Sequence, residues 1–515
     1  MVKDKAGVMA TIDVGSNSIR MLIAQLSPAG EIITLEDLHK STHIGRDSFV
    51  NGRIQVETIH ETCDVLRGFN RLMQDYKVKY YRAVSTSGIR EAQNREYVLE
   101  QIRIRSDLKV EVINSAQERF LMLKAMRNYL SELQPMNKSV LIVHIGSGGV
   151  ELSVYSEGNL KFTEYIKIGS LRLREVLAEL EKKTLDFPSL MEEFIRSRLD
   201  FLEPLISSMN IESFIGLGGE LRTITGLCKG HEAGYEDKFI EKKSFKKLYE
   251  KLHTLTSLQI GDEFGLSRSQ AGVLLPSVLL FNIFLEMTHA SNIYAPLVSL
   301  RHGLITDMAD ELLDTDSRRD ALEDIIGSVW HLGKKYSIDE VHCAFLEKIS
   351  LSIFDQMGKI HRLGDRERLY LRVASILHDI GKYVNHSTHD IHSYNIVKFL
   401  DIMGFSDREL ELVANIVRYH SIDIPDQWDE NYSALSPEDQ IIVSKLAAIL
   451  RITEALDITH KQKIQRVEVH NSGKELHFDL WASEDMLLEE WSFSSHTTFF
   501  EEVMGYRPVL KSRRV

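Results

Sequence analysis

The chain has 515 residues, 43% of them apolar and 27% charged, with nine prolines and three cysteines. That length exceeds a single compact core, since domains usually hold about 100–200 residues, and the composition excludes collagen-like, low-complexity and largely disordered classes. Net charge is −13, from 62 Lys+Arg against 75 Asp+Glu, so no DNA-binding surface is expected, and an anionic ligand must be held by local loops, helix N-termini or metal. The first half alternates strand-like and helix-like segments, the pattern of an α/β architecture. Val8–Val14 reads as a buried strand, Gly15–Ser18 as a tight turn and Ile19–Leu26 as a second strand. Tyr80–Ser85 and Val110–Ile113 are further strands, each leading through a polar turn into helical periodicity. Ser139–Ile145, a glycine turn and Val150–Tyr155 follow, then Phe214–Leu217, another glycine turn and a helix from about Leu221. The longest apolar stretch, Ala271–Leu285, contains Pro276 and is too short to span a bilayer, so no membrane partner is expected. No signal peptide is visible, and Cys63, Cys228 and Cys343 stand at unrelated spacings; both point to the cytoplasm.

From about Asp310 the pattern becomes helical, with an acidic stretch to Asp324 and amphipathic segments near 324–337, 339–363, 366–379, 389–400, 407–420 and 437–458. Alternation at Arg466–Val469 and Leu476–Leu480 predicts a short strand pair opening a small C-terminal domain. An internal repeat organises the first half. Ile12-Asp13-Val14-Gly15-Ser16-Asn17-Ser18-Ile19-Arg20-Met21 aligns with Val143-His144-Ile145-Gly146-Ser147-Gly148-Gly149-Val150-Glu151-Leu152. Two glycine-bearing hairpins, with a third turn at Gly216-Leu217-Gly218-Gly219, suggest related halves facing a cleft whose exposed backbone N–H groups bind anions.

Several side chains near these turns suit phosphate chemistry. Ser16, Asn17 and Ser18 offer hydroxyl and amide groups, and Asp13 either positions a hydrated cation or caps the turn. Arg90, one turn into a helix after a strand, can clamp a phosphate with two N–H groups or remain a surface arginine. Glu118 follows the strand at Val110–Ile113 and can activate water, although Ser115-Ala116-Gln117-Glu118 also reads as a capping box, locally the more economical reading.

Together these segments resemble the Ppx/GppA family of exopolyphosphatases and guanosine pentaphosphate phosphohydrolases, a branch of the actin-like, ribonuclease H-like fold. The resemblance is carried by residues 12–20, Ser87-Gly88-Ile89-Arg90-Glu91-Ala92, residues 111–118, Gly216–Gly219 and Ser299-Leu300-Arg301-His302-Gly303-Leu304, in family order. It implies attack of water on a terminal phosphoanhydride with Mg²⁺ neutralising charge. Glu118 then takes the catalytic glutamate position and Arg90 that of the phosphate-contacting arginine. Gly15, Ser16, Asn17 and Ser18 would form one phosphate loop, and Gly146, Ser147, Gly148 and Gly149 the other. Gly218 and Gly219 would bind substrate too, while Asp13 and Glu151 would hold the cation. The expected substrate is inorganic polyphosphate or guanosine pentaphosphate, with guanosine tetraphosphate as an alternative bound regulator, and a homodimer is implied by analogy. His144 stands where the family carries aspartate, Gln117 where it carries the first of two glutamates, Glu220 where it carries threonine, and His302 where it carries glutamate. An imidazole in place of a carboxylate weakens a site for Mg²⁺, which prefers oxygen ligands.

In the helical region, the order His342, His378-Asp379, His392, His420, Asp457 resembles the HD-domain metal phosphohydrolases. The resemblance implies one divalent metal on His342, His378, Asp379 and Asp457, with His392 and His420 as the extra pair of two-metal members and His389 as a rival for His392. Asp457 falls on the buried stripe of its helix, where a carboxylate needs a cation or strong donors. The expected architecture is two actin-like domains (1–125 and 126–309), an all-α HD domain (310–460) and a small α+β domain (461–515). The leading functional expectation is a phosphoanhydride hydrolase acting in the first cleft. The alternatives are an HD phosphohydrolase whose first cleft only senses polyphosphate or guanosine tetraphosphate, and a binding protein without turnover.

Overall fold

The computed structural model describes residues 7–28, 30–133, 139–156, 159–184, 186–230, 238–313 and 316–514. The chain forms two compact units, Met1–Asp324 and Ile325–Val515, with the boundary inside the helix Asp316–Lys335.

The first unit holds two mixed sheets built to one plan. In the first, β1 (Gly7–Val14), β2 (Ser18–Leu26) and β3 (Ile32–Ser41) form an antiparallel meander, and β4 (Tyr80–Ser85) and β5 (Val110–Val112) add parallel strands in the order β3-β2-β1-β4-β5. In the second, β6 (Ser139–Ile145), β7 (Val150–Ser156) and β8 (Asn159–Ile166) repeat the meander. There β9 (Ile211–Gly218) runs parallel to β6, followed by β11 (Asn292–Tyr294) and the edge strand β10 (Phe239–Glu241). The repeat read from sequence is therefore structural to the residue. Val14 faces Ile19 as Ile145 faces Val150, and Asp13 faces Arg20 as His144 faces Glu151. The turns close alike, with Gly15 N–H donating to Ser18 O at 3.0 Å and Gly146 N–H to Gly149 O at 2.9 Å.

Both central strands are buried on both faces, which is why β1 and β6 read as nearly unbroken apolar runs. The helix Arg268–Glu286 has the length and apolarity to cross a membrane, but Ala271–Leu285 is buried throughout and packs into the core of the second sheet. Sequence periodicity gives no sign of β3 and β8, nor of β10 and β11.

Two helices frame the site. Ser115–Leu133 starts just after β5 and packs against Leu300–Leu313. Gly303 permits that approach: a Cβ there would lie 2.0 Å from Leu121 O. Buried Lys124 then reaches Asp307 Oδ1 and Asp310 Oδ2, each at 2.7 Å, and Arg82 donates to Asp307 Oδ2 at 2.8 Å. Arg301 anchors the same helix to the first sheet, donating to Met21 O at 3.1 Å and pairing with Asp37.

The second unit is helical over most of its length and ends in a three-stranded sheet. Its principal helices are Glu340–Gln356, Asp365–Leu377, His389–Lys398, Asp407–Arg418 and Pro437–Ala455. The sheet contains the expected strand pair as β12 (Ile464–Ser472) and β13 (Glu475–Ala482). It also contains β14 (Arg507–Arg514), which returns parallel to β13 after the helix Leu487–Met504. The basic C-terminal residues thus lie in a strand.

Because the Gly303 contact is backbone against backbone, Gly303→Ala should force the two framing helices apart. A loss of about 1–3 kcal/mol is expected for such overpacking, seen as a lower denaturation midpoint for the first unit.

Candidate active site

The two hairpin turns face one cavity of about 110 Å³, open to solvent and lined by Gly15–Ser18, Gly146–Gly149, Gly218–Glu220, Asp13, Glu118 and Tyr165, among others. Its walls are locked together at several points. Ser16 Oγ lies 3.1 Å from Ser87 Oγ, and a Cβ on Gly148 would come within 2.3 Å of that Ser87 oxygen, so only glycine admits the contact. Arg172 joins the two sides, donating to both Glu91 oxygens at 2.7 and 2.8 Å and to Gly148 O at 2.7 Å.

Glu118 reaches the cavity because it is not a cap. Asn114 caps the helix Ser115–Leu133: Gln117 N–H donates to Asn114 Oδ1 at 2.9 Å and Asn114 N–H to Gln117 Oε1 at 3.2 Å. The capping box lies one residue earlier than Ser115-x-x-Glu118 suggests, which also gives Gln117 its task. Glu118 Oε2 then lies 3.8 Å from Arg90 Nη1, whose guanidinium is fixed by a 2.8 Å bond to Ile113 O. Burial, then the charge of Glu151, pushes the Glu118 carboxyl up to about 7, against the pull of Arg90 and His144.

The rest of the floor is largely acidic. His144 Nδ1 sits 3.1 Å from Glu151 Oε2. Burial opposes the imidazolium, but Glu151, Glu118 and Asp13 outweigh it and raise the His144 pKa. Burial also raises Asp13 and Glu220, in each case against the nearby positive charge of Arg20. Asp13 Oδ1 and Glu151 Oε1 are shut off from solvent without a hydrogen-bond partner. One ligand atom each from Glu118, His144 and Glu151 falls within 4.8 Å of the others. An orphaned buried carboxylate oxygen in such a group, Glu151 Oε1, fits a divalent cation, and Asp13 lines the same cavity.

A second concentration of ligand atoms lies in the helical unit. His342 Nε2 is 3.2 Å from Glu454 Oε2, and His378 Nε2 is 3.4 Å from both Glu454 Oε2 and Asp379 Oδ2. On the other side of Asp379, Oδ1 lies 3.5 Å from His389 Nε2 and 3.8 Å from His420 Nε2. Burial opposes charge throughout, yet the ionic partners win: both His342 and His378 are raised, Asp379 and Glu454 held low. His378 Nε2 and Asp379 Oδ1 are buried without a hydrogen bond.

A family model described as the Ppx/GppA phosphatase family matches residues 22–312, more than half of the chain. The chain belongs to the Ppx/GppA phosphatase family. A second model, Ppx/GppA phosphatase, domain III, matches residues 326–495. Among similar proteins is a guanosine-5'-triphosphate,3'-diphosphate pyrophosphatase of Pseudoalteromonas translucida, 22% identical over 94% of this chain and 96% of the relative. One of the same name from Photobacterium profundum is 21% identical over 88% and 87%. Among solved structures, an exopolyphosphatase from Cytophaga hutchinsonii is 21% identical, with a TM-score of 0.52, covering 59% of this chain and 98% of that one. The last supports the actin-like fold of the first unit.

The first cleft of this Ppx/GppA protein brings together Asp13, both turns, Gly218, Gly219, Glu118, His144 and Glu151, with Arg90 beside Glu118. The helical group departs from expectation at two positions. His392 lies outside it, and His389, one helical turn earlier, meets His420 at 3.2 Å. Asp457 does not enter the group of ligand atoms either. It lies beyond the end of the helix Pro437–Ala455, not on its buried stripe, where it accepts from Gln462 N–H at 2.7 Å and lies 2.8 Å from His342 Nδ1, behind the imidazole, while Glu454, in the last turn of that helix, supplies the carboxylate. Sequence reading missed Glu454 because it ran the helix to residue 458, which puts Asp457 on the buried stripe, whereas the helix ends at Ala455; it missed His460 because that residue follows the helix with a left-handed backbone, stacked on His342 at 3.7 Å.

Removing the Arg90 guanidinium, 3.8 Å from Glu118, should raise the glutamate pKa further. Arg90→Met is expected to shift the Glu118 titration upward by about one unit or more, read by ¹³C-carboxyl NMR of the metal-free protein.

Proposed function

We propose that the first cleft hydrolyses the terminal phosphoanhydride of a phosphate chain, inorganic polyphosphate or guanosine pentaphosphate. The observation that carries this is a carboxylate tuned to about 7, Glu118, in the cavity onto which two glycine turns of opposed sheets open. The turns suit phosphate oxygens through backbone N–H groups and the hydroxyls of Ser16 and Ser18. Arg90 is placed to orient the terminal phosphoryl group, and Glu118 to take the proton from the attacking water as oxygen bonds to phosphorus and the bridging P–O bond breaks. The displaced chain leaves one phosphate shorter. His144, Glu151 and Asp13 would hold a divalent cation, which neutralises developing phosphate charge.

The curated relatives named as guanosine pyrophosphatases favour the nucleotide, and the solved exopolyphosphatase favours polyphosphate. The chemistry of the cleft is common to both. We read the first unit as two actin-like domains, 1–125 and 126–309, followed by a helical HD-type domain, 310–460, and a small domain, 461–515. In the helical domain His342, His378, Asp379 and Glu454 would bind one divalent metal, with Asp457 orienting His342 through Nδ1 and His389 and His420 flanking Asp379. The orphaned His378 Nε2 and Asp379 Oδ1 support that assignment over a plain buried ion-pair network.

Glu118→Gln should lower phosphate release from both substrates by at least about 100-fold while leaving the fold unchanged by circular dichroism. Unchanged release would remove the proposal. The acid limb of turnover should follow ionisation of Glu118, with a midpoint at or below about 7, since a bound cation favours the carboxylate. In the helical domain, Glu454→Gln should abolish metal retention by elemental analysis, whereas Asp457→Asn should weaken affinity by only about 10–100-fold. Equal losses would return Asp457 to the ligand set.

A further inference from the structure

We propose that the cleft selects a borderline transition-metal ion, of the Co²⁺ or Zn²⁺ type, over Mg²⁺, with His144 supplying a direct nitrogen ligand beside Glu151. This rests on the cleft being the cation-assisted site described above. His144 and Glu151 occupy the two sides of one register pair, the place that Asp13 and Arg20 hold in the first repeat. The duplication thus offers an internal comparison. Where the first hairpin sets a carboxylate against a guanidinium, the second sets an imidazole against a carboxylate, so the ligand pair comes entirely from the second sheet.

Glu151 is 4% exposed, and its Oε1, without a hydrogen bond, marks an unfilled valence at the cavity wall. His144 Nδ1 lies 3.1 Å from the other oxygen, Oε2. The Glu118 carboxylate is within 4.8 Å of both ligand atoms, near enough to face a water on the same cation. Mg²⁺ demands a nearly all-oxygen octahedron and keeps its waters, so it gains little from imidazole. Borderline ions gain a strong bond from the same nitrogen. A purely structural His144–Glu151 ion pair would account for the 3.1 Å contact, but it leaves Glu151 Oε1 and Asp13 Oδ1 without partners.

The test is calorimetric titration of the full chain with Co²⁺ and with Mg²⁺, carrying His342→Ala and Asp379→Ala so that none of the helical ligand groups stays complete. Co²⁺ is expected to bind at least about a hundredfold tighter than Mg²⁺. Adding His144→Asp should cut that ratio by at least about tenfold and tighten Mg²⁺. The Co²⁺-loaded protein should also give a hyperfine-shifted imidazole resonance that disappears with His144→Asp. Equal affinities, a ratio that survives His144→Asp, or no shifted resonance would each overturn the inference. If His144→Asp does not fold, the affinity ratio and the resonance of the His144-bearing chain decide the matter. Selective Co²⁺ binding with turnover unaffected by Glu118→Gln would sink the hydrolase reading and leave the metal assignment standing. Loss of turnover in Glu118→Gln with no Co²⁺ preference would do the reverse.

Discussion

Four carboxyl groups, Asp13, Glu118, Glu151 and Glu220, line one cavity and are largely buried from bulk water. Desolvation there raises Asp13, Glu118 and Glu220, and an isolated ion in such a place would cost several kcal/mol. The arrangement persists only because positive groups face it, Arg20 and Arg90 from the first half and His144 from the second. The same penalty makes the cleft useful. It holds one carboxyl poised near neutrality and leaves buried oxygens that a cation would satisfy.

The surrounding fold serves to hold those groups at fixed distances. A repeated three-strand meander delivers one turn from each sheet, and Gly148 lets them touch through Ser87. Arg172 clamps the same contact to Glu91 by two charge-assisted hydrogen bonds. The helix carrying Glu118 is fixed from behind by Gly303, which allows the Leu300–Leu313 helix to approach, and by Lys124 between two aspartates. Site geometry and core packing are therefore coupled through one helix.

The hairpin repeat was legible in the sequence because a buried central strand is a continuous apolar run and its turn needs small residues. β3 and β8 were not. β3 is an edge strand, mostly exposed along its length, and its polar sequence carries no burial pattern to read. The role of Glu118 was obscured by a one-residue ambiguity, since Asn114 and Ser115 both make good caps and only the observed hydrogen bonds to Gln117 choose between them. In the helical unit the histidines were visible by type, but helical periodicity does not say which carboxylate of the pair 454 and 457 points inward. The helix ends at Ala455, so Asp457 falls in the turn beyond it, and the choice depends on that helix end and on what lies opposite, here His342 and Gln462.

The central claim is that both turns grip one phosphate chain beside Glu118. A crystal structure of the Glu118→Gln protein soaked with tripolyphosphate and a divalent cation tests it most directly. The account predicts a terminal phosphoryl group bridging residues 15–18 and 146–149, with the substituted side chain across the water position from it. Density for the chain only at the helical histidine group, with both turns empty, would contradict it.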